Sequence, residues 1–229
     1  MSATRTTTLP GFDGAALAVH EVGEADARPV LLLHGLFSSA EVNWIKYGHA
    51  ATIAARGFRV IMPDFRVHGA SAAPHDAAAY PPQVLVRDVL ALIEAMGLTD
   101  FDLGGFSLGA RTVAALLVEG VRPRRAILAG MGLEGLSGWT DRRQFFLDAI
   151  ALRETVTRDD SHFMAVMFMR TMKIDPVAAT LLLEAGSDVK AVFDCIPDGS
   201  AAIRIARIAY AQVQGDTLIL QERGQLSGF

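Results

Sequence analysis

The 229-residue sequence is short of several things, and each shortage removes a class of protein. It holds a single cysteine, Cys195, so no disulfide can close within the chain. That suits a reducing compartment, and the lone thiol is read as packing or incidental. Long apolar runs are missing as well: none approaches the roughly 18 residues that a membrane span needs. The opening MSATRTTTLPGFDG lacks an apolar core flanked by basic residues, so no export signal is read there. The expectation is a soluble cytoplasmic chain with no membrane partner. Basic charge is scarce too. The net charge is −4, and the one basic cluster, RPRR at 122–125, is short and runs into an apolar stretch, which excludes a broad surface for nucleic acid. No histidine–cysteine spacing suits a metal and no glycine loop suits a phosphate, so no metal and no organic cofactor is expected.

What remains is a globular composition, 51% hydrophobic and 20% charged, with no internal repeat and no low-complexity linker. Strand-like and helix-like segments alternate along it, the sign of an α/β sheet. GAALAVHEV (14–22) reads as an early antiparallel strand. PVLLLHG (29–35) reads as a buried parallel strand and FRVIMPDF (58–65) as another buried strand, while FDLGGF (101–106) and RAILAGM (125–131) read as the next two strands. Between them, Ser38 with Glu41 predicts a capped helix running to Ala55 and stopped by Gly57. Pro81 predicts the first turn of a second helix, whose apolar residues Leu85, Val89, Leu92, Ile93 and Met96 share one face. After about residue 136 the pattern becomes helical: DRRQFFLDAIALRE, SHFMAVMFMRTM and DPVAATLLLEAG predict an insertion over one edge of the sheet. The Met and Phe residues of FMAVMFM have two readings, adaptable apolar surface lining a pocket and ordinary core of that cap, of which the second is the expectation. GSAAIRIARIAYAQVQ (199–214) predicts a helix, and TLIL (217–220) a short strand.

The pentapeptide GFSLG (105–109) sits where a strand hands over to a helix. A nucleophilic serine must be lifted clear of the sheet, and a very sharp strand-to-helix turn does this. Such a turn forces neighbouring backbones together, so side chains two residues either side of the serine would collide. Gly105 and Gly109 relieve that crowding. The helix starting at Leu108 then aims its amino end at developing negative charge. HGLFSS (34–39), after the strand PVLLL, is placed to supply a second N–H to the same anion, with Leu36 the candidate donor beside Leu108. His34 reads as a brace for this loop.

Taken together, HGLFSS at 34–39, PDFRVHGAS at 63–71 and GFSLG at 105–109 resemble the oxyanion loop, the P-D-x-R-G-x-G-x-S-like loop and the nucleophile elbow of the α/β-hydrolase family, in order and at matching spacing. The resemblance spans roughly residues 14–190. It implies a mostly parallel central sheet flanked by helices, with core segments 1–136 and 191–229 and a helical cap at 137–190. Val67 stands where the family usually has glycine, and His68 reads as structural. Serine at position 107, in place of aspartate, points toward esterases and related carbonyl hydrolases and away from haloalkane dehalogenases and epoxide hydrolases. The implied activity is a serine hydrolase acting on small ester-like substrates, with Ser107 as nucleophile and the N–H groups of Leu36 and Leu108 as oxyanion hole. Homo-oligomerisation is left open.

The family also implies an acid and a histidine after the later strands. Of the six histidines, His20, His34, His49, His68 and His75 precede Ser107, and only His162, inside the cap, follows it. His162 is therefore a weak candidate base. Glu134, following RAILAGMG, and Glu222, near the TLIL strand, are weak candidate acids, while the position in family register is occupied by Gln225. Three expectations follow for the end of the chain: a truncated or frame-altered tail, a non-catalytic ligand-binding derivative of the fold, or a site completed by a partner chain.

Overall fold

The computed structural model describes residues 3–131, 135–136 and 138–186, together with the backbone of two short strands at 211–214 and 217–220. Six strands form one sheet: β1 (Arg5–Pro10), β2 (Ala16–Val22), β3 (Arg28–Leu33), β4 (Phe58–Pro63), β5 (Asp102–Phe106) and β6 (Arg125–Ala129), in the spatial order β1-β2-β4-β3-β5-β6. β3, β4, β5 and β6 pair in parallel, and β2 runs antiparallel to both β1 and β4. The sequence explains which strands lie inside. RPVLLL and FRVIMP are buried along their last four residues, as continuous apolar strands covered on both faces must be. RTTTLP, which the sequence reading passed over, forms the exposed edge strand and ends on a proline that has no N–H to offer.

Side chains along a strand alternate between faces, and the core divides accordingly. Leu31, Leu33, Ile61 and Leu103 belong to the larger apolar cluster, together with α2 (Val84–Ala95) and α3 (Leu108–Val118). Val30, Leu32, Val60 and Met62 face the other way, with Ala50 of α1 (His49–Ala54). Beyond β6 the chain enters the cap, which holds α4 (Trp139–Ala151), α5 (Phe163–Thr171) and α6 (Pro176–Glu184).

Four local expectations need correction. The stretch after Ser38 is not one capped helix. It is a single wide turn with i→i+5 hydrogen bonding at Glu41–Ile45, followed by α1, and it is Ser39 Oγ, not Ser38, that accepts the N–H of Val42. The second helix starts at Val84 rather than at Pro81, because Gln83 takes a left-handed conformation with φ of 59° before it. Residues 211–214 are strand rather than helix, pairing with TLIL as β7 (Ala211–Gln214) and β8 (Thr217–Leu220) in a separate two-stranded sheet. FMAVMFM buries Val166 and Met169 but leaves Met164, Met167 and Phe168 exposed, so only one stripe of α5 is core.

Candidate active site

Ser107 lies at the junction of β5 and α3 with φ of 52° and ψ of −112°, a backbone conformation that a non-glycine residue rarely adopts. The surroundings hold it there. Its N–H donates to the Ala129 carbonyl of β6 at 2.8 Å, and its own carbonyl accepts the Arg111 N–H at 3.0 Å as the first bond of α3. A Cβ on Gly105 would lie 2.2 Å from the Gly109 carbonyl carbon, and one on Gly109 would lie 2.1 Å from the Leu33 carbonyl oxygen. The two glycines therefore let α3 fold back directly over β5 and against the end of β3. Ser107 itself stays half-buried and within reach of solvent.

The close approach of Gly109 to Leu33 and His34 brings the first turn of α3 beside the loop that leaves β3. Two buried histidines fix that loop by crossing over to the loop after β4. His34 Nε2 accepts the N–H of Phe65, while His68 Nε2 accepts the N–H of Phe37, each at 2.9 Å. The opposite ring nitrogens donate to the carbonyls of Gly35 and Arg66, each at 2.8 Å, so both rings are neutral with the proton on Nδ1. Burial pushes His34 down to about 4, and burial with the neighbouring His34 pushes His68 down to about 3. Asp64 adds two more straps, accepting the N–H groups of Ala40 and Ala70, and takes a hydrogen bond from His20 at 3.2 Å. Its burial works to raise its pKa, but the hydrogen bonds from His20, Ala70 and Ala40 outweigh that and hold it below the usual carboxylate range. Val67, in the same loop, is 5% exposed and sits at φ of 78°, a strained position for a β-branched residue where glycine would be at ease.

Leu36 and Leu108 both line a cavity of about 440 Å³ that follows α3, with Arg111, Thr112, Trp139 and Leu182 among its other walls. Arg111 ties α3 to the start of the cap: its guanidinium donates to the carbonyls of Gly135 and Leu136 and lies 4.8 Å from the centre of the Trp139 ring. His162 is held elsewhere. Its Nδ1 bonds Asp160 at 2.8 Å and its ring stacks on Phe145 of α4, so its partners are cap residues and no hydrogen bond joins it to Ser107. Glu134, Glu222 and Gln225 lie outside the described residues. Among the described residues, no group of three or more His, Cys, Asp or Glu side chains could hold a metal, and no helix is long and apolar enough to cross a membrane. The residue pattern of the alpha/beta hydrolase fold matches positions 28–135, the stretch that carries both loops and the elbow.

The chain has the α/β-hydrolase fold. Solved structures agree with this assignment of fold. An esterase from Exiguobacterium antarcticum superposes with a TM-score of 0.65 at 18% identity, covering 84% of this chain and 78% of that one. A hydrolase from Pseudomonas aeruginosa does so with a TM-score of 0.57 at 22% identity, covering 82% and 75%. By sequence, the chain is 37% identical over 98 residues to an epoxide hydrolase of Caballeronia sordidicola, covering 43% of this chain and 28% of the relative. It is 32% identical over 97 residues to a 1H-3-hydroxy-4-oxoquinoline 2,4-dioxygenase of Pseudomonas putida, covering 42% and 34%. The matches thus span about a third of the length of these curated relatives.

Sequence reasoning misses three groups in the loops beside Ser107: Asn43, whose Oδ1 accepts the Gly35 N–H at 2.8 Å, Asp64, and the His20 that bonds it. A lone asparagine within a predicted helix reads as surface, and the PDFRVHGAS motif marks Asp64 by position without indicating what its carboxylate binds.

Proposed function

We propose that this chain is a serine hydrolase acting on small ester-like substrates. Ser107 Oγ attacks the substrate carbonyl carbon, the carbonyl π electrons move to oxygen, and the backbone N–H groups of Leu36 and Leu108 receive that oxyanion. The Ser107 hydroxyl proton passes to solvent, the carbon–alkoxy bond breaks as the carbonyl reforms, and the alkoxide takes a proton from solvent to leave as the alcohol; water then cleaves the acyl–Ser107 ester, releasing the acid and restoring the hydroxyl. The observation that carries the reading is the strained Ser107 backbone at the β5–α3 junction, made possible by Gly105 and Gly109. Serine rather than a carboxylate at this position favours esters over epoxides, even though epoxide hydrolases are among the sequence relatives. An epoxide carbon is opened by a carboxylate nucleophile, whereas a serine elbow with two facing amides suits a planar carbonyl that becomes tetrahedral.

The test is covalent labelling of the folded full chain with an alkyl fluorophosphonate. One adduct, on Ser107 and absent from Ser107→Ala, is the expected result. A second reading is favoured by one observation: among the described residues, His34, His68 and His162 are each bound to other groups, and none accepts the Ser107 hydroxyl proton. On that reading the fold binds a carbonyl ligand without turning it over. Folded protein that resists the probe yet binds ester analogues by calorimetry would establish it and overturn the first.

A further inference from the structure

The loop that offers the Leu36 amide has an arrangement of its neighbours that the hydrolase motifs do not specify. On one side, the Gly35 N–H donates to Asn43 Oδ1 at 2.8 Å. On the other, the Phe37 N–H donates to His68 Nε2 at 2.9 Å. The Ser38 N–H turns back to the Gly35 carbonyl at 3.2 Å, closing the loop around Leu36, and that carbonyl also accepts the proton on His34 Nδ1. Each amide flanking Leu36 is thus taken by a side chain fixed in a different element, and Phe37 is held at φ of 57° in consequence.

Asn43 reaches Gly35 because of the wide turn at Glu41–Ile45. There the Lys46 N–H bonds the Glu41 carbonyl at 2.8 Å and the Asn43 N–H bonds the Ser39 carbonyl at 3.0 Å. One extra residue per turn shifts the phase of the side chains relative to an ordinary helix, and such wide turns recur at functional positions. An ordinary helix from Ser38 would have given Asn43 a different heading. The half-buried Asn43 amide accepts from Gly35 through its oxygen.

We propose that Asn43 is a positioning residue for the oxyanion hole: by holding the Gly35 N–H it fixes the 34–35 peptide, the anchored end from which the next peptide, carrying the Leu36 N–H, is set through Gly35. The proposal rests on the serine-hydrolase reading above and deepens it. Loss of the Asn43 acceptor frees the 34–35 peptide and leaves the 35–36 peptide held only at its Gly35 carbonyl, by the Ser38 N–H and His34 Nδ1, so that a turn about the Gly35 backbone carries the Leu36 N–H away from the anion. The cavity beside Leu36 and Leu108 keeps its other walls, so the effect falls on the bond-making step and not on initial binding.

The experiment measures fluorophosphonate labelling of the full chain as a function of probe concentration, which separates the maximal rate kinact from the binding constant KI. In Asn43→Ala, kinact is expected to fall by about tenfold or more while KI changes by less than about twofold, a smaller effect than deleting an oxyanion donor outright. Asn43→Ser, one bond too short to reach Gly35 but still polar, is expected to do the same and serves if the alanine variant folds poorly. Thermal melting and far-UV circular dichroism confirm that the variants are folded. A folded variant with wild-type kinact overturns the positioning role, and so does one in which kinact is kept and KI rises. Failure of the underlying reading looks different, because then wild-type protein itself shows no labelling that depends on Ser107.

Discussion

Ser107, Gly105 and Gly109 form one mechanical unit, and adjacent Gly104 is the control that shows why. A Cβ on Gly105 or Gly109 would strike backbone atoms at 2.2 Å and 2.1 Å, and backbone has no alternative rotamer. A Cβ on Gly104 meets Leu32 Cδ2 at 2.9 Å, the far end of a flexible side chain that can turn aside. Gly105→Ala is therefore expected to destabilise the protein by at least about 3 kcal/mol, at the upper end of what overpacking usually does, and Gly104→Ala by less than about 1.5 kcal/mol. Urea unfolding of the two variants beside wild type measures this directly. Equal losses would mean that the elbow is looser than its contacts say. Because the clash shifts the helix start against the strand, a Gly105→Ala protein that still folds is also expected to lose labelling at Ser107.

At the scale of single elements, legibility in the sequence followed how local the cause was. Four strands could be read because RPVLLL, FRVIMP, DLGGF and RAILA carry their apolar content in the strand itself, although RAILA is buried on one face only, with Arg125 and Ile127 exposed. The elbow could be read because its glycines lie two residues either side of the serine. The wide turn at Glu41–Ile45 could not, since nothing in EVNWI separates it from the start of an ordinary helix, and its shape answers to Gly35 and Asp64 elsewhere in the chain. α6 shows the readable case in the cap. DPVAATLLLE puts aspartate ahead of proline, and Asp175 Oδ1 accepts the N–H groups of Val177 and Ala178 at 2.9 Å with Pro176 opening the helix. The same carboxylate pairs with His75 at 2.9 Å, tying the cap to the loop after β4. With both partners well exposed, that ion pair adds little, and the cap bonds dominate. Asp175→Ala is expected to lose about 1 kcal/mol, lowering the melting temperature by about 2–4 °C. Asp175→Asn, which keeps an acceptor but no charge, should recover most of it. If it does not, the ion pair matters more than the cap.

Over the whole molecule, polar groups buried near the site couple its integrity to pH. His34 and His68 are fully buried, and both act as acceptors of backbone N–H groups that hold the Leu36 loop. Protonation would turn each acceptor into a donor facing a donor. In the unfolded chain a histidine titrates near 6.5, whereas in the native protein burial holds these two at about 4 and about 3. Between those limits the unfolded chain binds more protons than the native one, so stability rises with pH across the interval. The contribution is complete above about pH 6.5 and is lost as the pH falls toward 4 and then 3. Asp64, held below its ordinary value mainly by hydrogen bonds that outweigh its burial, extends the loss in the same direction at still lower pH. At pH 5 each histidine accounts for about 2 kcal/mol of lost stability. Chemical denaturation at pH 8, 7, 6 and 5 is expected to give a plateau between the first two points and a steepening fall below. His68→Gln, whose amide oxygen can still accept the Phe37 N–H but cannot titrate, should remove one of the two protons from that slope and keep the loop closed. A wild-type curve flat down to pH 5 would mean that the rings are reached by water and do not grip the loop as a neutral pair. A steep fall, with Ser107 labelling lost over the same interval, would tie the standing of the Leu36 loop to these two rings.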